Sequence, residues 1–132
     1  MMTIPWTSTK SPDAATVVQV SRLELSRRRD VPGFLIAAMR IRRATLRAPG
    51  AVGVSLRAAP FSRTFWTLSS WVGRDDISAF VTSDAHIAVM NTYRGRMATS
   101  HFHTWTETEP TQRRPTWGEA HDRFGTTVGA DN

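Results

Sequence analysis

Phe65-Trp-Thr-Leu-Ser-Ser-Trp-Val72 is the stretch that decides the architecture. It joins aromatic and apolar residues to small hydroxyl residues over eight positions, which suits a pleated, half-buried strand. Gly73 ends it. Asp75 and Asp76 then put negative charge where a helix begins, and Ile77, Phe80 and Val81 follow at i, i+3, i+4, the spacing of one helical face. A second helical piece is predicted from Ser83 or Asp84, carrying Ile87, Met90, Asn91 and Arg94.

Working backward, Pro60 to Thr64 reads as a turn, and residues 51–58 alternate with period two. Val52, Val54, Leu56 and Ala58 form one face of that strand. Ala51, Gly53, Ser55 and Arg57 form the other, a notably small one. Pro49-Gly50 closes a predicted helix that opens at Asp30-Val31-Pro32, an N-cap with proline in the first turn. Phe34, Leu35, Ala38, Ile41, Thr45 and Leu46 mark its buried face, and Arg40, Arg43 and Arg47 its opposite stripe. Residues 16–25 form another strand. Val17, Leu23 and Leu25 share one parity and Val18 and Val20 the other, so something packs on both faces. Arg22 and Glu24 lie on one face of it and are placed to pair.

Downstream, Ala98-Thr-Ser-His-Phe-His-Thr-Trp-Thr-Glu107 gives the last strand. The order is strand, helix, strand, strand, helix, strand. That order predicts an α+β fold, a ferredoxin-like split βαβ unit with helices on one face of an antiparallel sheet. The bare second face makes a homodimer that covers it a physical expectation. Residues 1–14, rich in Pro, Ser and Thr, read as a flexible N-terminal arm with Trp6 as a possible anchor. The domain then spans 15–109, and 110–132 form a C-terminal extension with a short helix around Trp117 to Phe124.

Composition narrows the chemistry. The chain of 132 residues is the size of one domain, and its lack of cysteine removes disulfides, thiol nucleophiles and thiolate metal sites. No apolar run approaches the ~20 residues that cross a bilayer, and no signal-peptide pattern opens the chain, so a soluble, cytoplasmic protein is expected. Basic residues outnumber acidic ones 17 to 11, and Lys10 is the one lysine. Arg27, Arg28 and Arg29 and the arginines of the first helix cluster, but without a lysine-rich tail or a nucleic-acid motif. A solvated helix face accounts for the stripe, and nucleic acid is not the expected partner.

His101, His103 and Trp105 project from one face of the last strand, and Glu107 continues that face. Two imidazoles at i, i+2 can converge on a metal, which needs further ligands such as Glu107 or His86. No HExxH spacing supports one, so no metal is assigned, and a polar pocket wall is the alternative. No GxSxG, GxGxxG or GxxxxGK[ST] segment is present, which argues against an acyl-transfer triad and a nucleotide cofactor. Thr67 and Ser69 share a face with Trp71.

Residues 65–90 resemble antibiotic-biosynthesis-monooxygenase-like proteins, and more narrowly their spheroidene-monooxygenase-like branch. The likeness lies in a strand ending at Trp71, the pair Asp75 and Asp76, then Phe80, Ser83, His86 and Met90, and in a later Trp117-Gly-Glu-Ala120. The resemblance implies a dimeric α/β barrel with a pocket between sheet and helices. It implies a small-molecule enzyme, a monooxygenase of bacterial secondary metabolism acting on a hydrophobic aromatic or polyene substrate. His86, Trp71, His101 and His103 are then the candidate catalytic residues, with a neutral histidine abstracting a proton. Trp66, Phe80, Met90 and Trp105 are the candidate substrate-binding residues. No cofactor is expected, although the superfamily also holds haem enzymes, cofactor-free cyclases and isomerases, and barrels without activity. In haem-degrading relatives the iron-ligating histidine aligns with Met90, which speaks against that reaction, although an axial ligand from His86, His101 or His103 stays open. Trp71 and His86 serve equally well as a core tryptophan and a backbone-satisfying histidine.

Overall fold

The computed structural model describes residues 2–10, 14–108 and 115–130. Five strands form one antiparallel sheet: β1 (Met2–Ser8), β2 (Thr16–Leu25), β3 (Ala51–Ala59), β4 (Thr64–Trp71) and β5 (Met97–Glu107), in spatial order β1-β3-β4-β2-β5. The helices are α1 (Val31–Arg47), α2 (Arg74–Val81), α3 (Asp84–Tyr93) and α4 (Trp117–Ala130). With β1 and α4 set aside, β2-α1-β3-β4-α2/α3-β5 is the expected split βαβ core, an α+β ferredoxin-like fold.

The parities of β2 sort the core into two sides. Leu25 packs with Phe34, Phe65 and Tyr93, and Val17 with Trp71 and Ile77, all beneath α1, α2 and α3. Val18 and Val20 pack on the other side with Leu68, Trp105, Ala120 and Phe124. Opposed residues share a face, so the register carries these sides across the sheet. Val17 opposes Trp71 and Ser21 opposes Thr67 on the α1–α3 side. Val18 opposes Trp105 and Val20 opposes His103 on the α4 side.

Two expectations are corrected. The second face is not bare, because α4 lies on it, presenting Trp117, Ala120, His121 and Phe124 at i, i+3, i+4, i+7. This removes the bare face as a reason for dimerisation. The predicted flexible arm is a strand over residues 2–8: β1 pairs with β3 and its Trp6 joins the cluster on the α4 side. The small face of β3 explains both. A Cβ on Gly53 would lie 2.4 Å from the Trp6 ring, so glycine is what lets the indole lie against the sheet. Beside it, Trp117 Nε1 donates to Ser55 Oγ at 3.0 Å.

The expected second helical piece is α3, which carries Ile87, Met90 and Asn91, with Arg94 in the 3-10 turn that follows. Ile87 and Met90 are exposed, while Tyr93 is buried and His86 and Val89 are half-buried. Asp30 also departs from a side-chain cap. It stands at the N-cap of α1 but makes no capping bond, and its carboxylate pairs with Arg96 at 3.3 Å.

Candidate active site

Three candidate residues are assembled by a segment that is short in sequence. β4 ends at Trp71, Gly73 turns the chain into α2, and α2 returns Phe80 to the Trp71 ring with centroids 5.3 Å apart. Ser83 makes the next turn, donating both its N–H and its Oγ–H to the Phe80 carbonyl at 3.0 and 2.6 Å. That turn starts α3 and sets His86 edge-on to Phe80, centroids 5.4 Å apart. Trp71, Phe80 and His86 thus form a continuous aromatic wall.

The strands beside this wall carry hydroxyl and amide groups on the same side. Trp71 Nε1 donates to Ser69 Oγ at 2.9 Å, and the hydroxyls of Ser21 and Thr67 are hydrogen-bonded to each other. Gln19 and Thr67 belong to the two central strands and point toward the helix layer, yet both remain partly exposed. The helices therefore leave an opening over this part of the sheet.

His86 is half-buried, and burial, which disfavours the imidazolium, lowers its pKa from the ordinary 6.5; the Val81 backbone pulls more weakly the other way. Its Nδ1 is buried and makes no well-formed hydrogen bond. The imidazole is consequently neutral at pH 7 and retains a lone pair, the state a general base requires. The hydroxyls of Ser21, Thr67 and Ser69, on the Trp71 end of the wall, are the kind of donor that stabilises a developing oxyanion.

The other candidates lie across the sheet. Trp66 meets His121 and Phe124 of α4 with centroids at 4.6 and 5.3 Å. His103 stacks on Trp105 at 5.7 Å, and the Arg123 guanidinium lies 4.8 Å from the Trp105 ring. His101 is exposed, with its ring 6.2 Å from that of Phe124. His86 is thus separated from His101 and His103 by the sheet, and the metal site weighed from those three is not assembled. Among the described residues no three of His, Asp and Glu gather as a metal cluster. Met90 lies on α3 one turn beyond His86 but is 41% exposed, so it can edge an opening rather than wall a closed pocket.

Sequence reasoning passed over the group around His121. Its Nε2 lies 3.3 Å from an Arg57 guanidinium nitrogen, and that guanidinium sits 4.9 Å from the Trp117 ring. Burial lowers the His121 pKa, Arg57 lowers it further, and Asp122 opposes both. The spacing of Trp117, Ala120, His121 and Phe124 was the available signal that this helix packs on the sheet.

No protein-family model and no curated protein matches the sequence. Solved structures do match the fold. SnoaB from Streptomyces nogalater, described as a cofactor-independent oxygenase, aligns with a TM-score of 0.58 at 17% identity, covering 73% of this chain and 96% of that one. A protein of Nitrosomonas europaea, provisionally described as an antibiotic biosynthesis monooxygenase, aligns with a TM-score of 0.61 at 14% identity over 74% of this chain and 92% of that one. PA3566 from Pseudomonas aeruginosa reaches 0.65 at 5% identity, with 73% and 97% covered. At these identities what is shared is the fold, the one expected from the resemblance in residues 65–90.

Proposed function

We propose that this protein is a small-molecule enzyme of the monooxygenase type, acting on a hydrophobic aromatic or polyene substrate at the Trp71, Phe80 and His86 wall without a bound cofactor. The observation that carries this reading is a half-buried, neutral His86 whose ring is continuous with an aromatic surface. SnoaB, with the same fold, is described as a cofactor-independent oxygenase, which supports a reaction in which substrate and dioxygen supply all the redox equivalents. His86 removes a proton from a methylene made acidic by adjoining phenol or carbonyl groups. The carbanion gives its electrons to O2, one oxygen atom becomes the new carbonyl, and the other leaves as water with the two methylene hydrogens. Hydroxyls of the Ser21, Thr67 and Ser69 group hydrogen-bond the substrate oxygen as it gains charge. In the same reading the protein works as a cytoplasmic homodimer, supported by the exposed outer edge of β5 and its exposed Phe102.

The test is oxygen uptake with a polycyclic phenol bearing an activated methylene. His86→Gln is expected to lower turnover by about 10²–10⁴-fold, the usual contribution of a general base. An unchanged rate in this variant rejects the assignment. Product formation without oxygen identifies a cyclase or isomerase at the same wall, and a Soret band on adding haem replaces this reading with a haem enzyme.

A further inference from the structure

Where β2 gives way to α1, the chain runs Ser26-Arg27-Arg28-Arg29-Asp30, and the Gly95-Arg96 corner before β5 lies beside it. The Ser26 N–H donates to the Arg96 carbonyl at 2.9 Å, and the Asp30 N–H to the Arg27 carbonyl at 3.2 Å. Between these pinned segments is a cavity of about 510 Å³ lined by Ser26, Arg27, Arg29, Asp30, Gly95 and Arg96. That volume falls within the range of small-molecule sites.

The lining is electrostatically unbalanced. Three arginines and one aspartate line it, and Asp30 is already engaged by Arg96 at 3.3 Å. Arg27 and Arg29 make no ion pair or side-chain hydrogen bond among the described residues. The 17-residue α1 begins at this cavity with no acidic residue in its first turn and no side-chain cap, so its positive end adds to the same field. The cavity lies at the end of β2 remote from Trp71, which opposes Val17 at the other end, so it is separate from the candidate active site.

We propose that this cavity binds the phosphate or pyrophosphate group of a small anionic molecule, with Arg27 and Arg29 as its direct donors and Arg96 held in place by Asp30. Guanidinium suits this role, because its fork of N–H donors matches two phosphate oxygens at once. Orthophosphate is a minimal ligand for the site, and pyrophosphate engages both free arginines.

Calorimetric titration of the full chain with inorganic pyrophosphate at low salt tests the assignment. The Arg27→Gln/Arg29→Gln double variant is expected to weaken binding at least tenfold. Arg40→Gln/Arg43→Gln removes the same charge from the exposed stripe of α1 and is expected to change affinity less than twofold. Asp30→Asn, which deletes the one negative charge of the lining among the described residues and releases the Arg96 guanidinium as a third donor, is expected to tighten binding severalfold, a gain that a folding defect cannot imitate. Equal losses in the two double variants reduce the effect to net charge and overturn the site. So does citrate binding as tightly as pyrophosphate. Binding to phosphatidic-acid vesicles with none to free pyrophosphate also overturns it, in favour of a membrane surface.

Discussion

Trp71 and Ser69 make a pair whose energetic coupling can be anticipated from the structure. Trp71 is 1% exposed, packs with Val17, Ala51 and Ile77, and donates its Nε1–H to Ser69 Oγ at 2.9 Å. Truncation to alanine is expected to cost about 3–5 kcal/mol, a large part of the 5–15 kcal/mol that holds a domain together. Smaller changes isolate the hydrogen bond. Ser69→Ala leaves the buried indole N–H unpaired, at a cost of about 1–3 kcal/mol. Trp71→Phe removes that donor together with part of the packed ring, for about 1–2 kcal/mol. Once phenylalanine is present, Ser69→Ala no longer strands a donor, so the double variant should be less destabilised than the sum of the singles by about 1 kcal/mol. Urea denaturation followed by far-UV circular dichroism measures all four proteins at constant m. Additivity within about 0.3 kcal/mol refutes the coupling. It would mean that the Trp71 indole N–H does not depend on the Ser69 hydroxyl.

Gly53→Ala would bring a methyl within 2.4 Å of the Trp6 ring, and the expected response is that the indole leaves the sheet and β1 frays, at about 1–3 kcal/mol. Hydrogen exchange should accelerate at β1 amides and stay slow in β2 and β4; unchanged β1 protection would contradict it. Gly50 has φ +81° and a Cβ there would lie 2.1 Å from Asp76 Cγ, so Gly50→Ala combines the left-handed penalty of about 1–2 kcal/mol with displacement of Asp76, and a fall in Tm of several degrees should result. His86 and His121 both have lowered pKa values, so the folded state binds fewer protons than the unfolded chain just below the ordinary value of 6.5. Stability should therefore be level above pH 6.5 and fall as the pH drops through that value toward the folded-state pKa values. Denaturation midpoints of His86→Gln and His121→Gln should each depend less on pH in this window, and a variant as steep as wild type removes that histidine from the account.

The core order of elements was legible because its punctuation is local. Pro49-Gly50, Pro60 and Gly73 separate segments whose periods differ, and the two parities of β2 each held enough apolar residues to announce two packed sides. What stayed hidden depended on partners distant in sequence. β1 carries Pro5 and little apolar alternation, and it becomes a strand because β3 offers Gly53 as a seat for Trp6. The rotation of α3 was not legible, because its apolar residues Ile87 and Met90 are exposed while His86 and Val89 are half-buried and Tyr93 is buried. For the site, Trp71, Phe80 and His86 could be linked because they fall within sixteen residues of one strand-helix-helix run. His101, His103 and Trp105 could be placed on a common face, but parity alone does not say which side of the sheet that face meets.

The two sides of the sheet also differ in what a ligand would have to displace. On the α4 side Trp66 is in contact with His121 and Phe124, Trp105 with Arg123 and His103, and Trp117 with Arg57. Trp105 is buried while Trp66 and Trp117 are partly exposed, and Ala120 and Phe124 hold α4 to Val18, Val20 and Leu68 through buried apolar contact. On the other side Thr67 and Gln19 are accessible on the central strands with every helix in place. Under the proposed function a substrate meeting the sheet there desolvates a few hydroxyl and amide groups, whereas one reaching Trp105 has to displace packed residues of α4. In the proposed reaction the base is then His86, whose ring continues the Trp71 and Phe80 wall, whereas His101 is exposed and His103 stacks on Trp105.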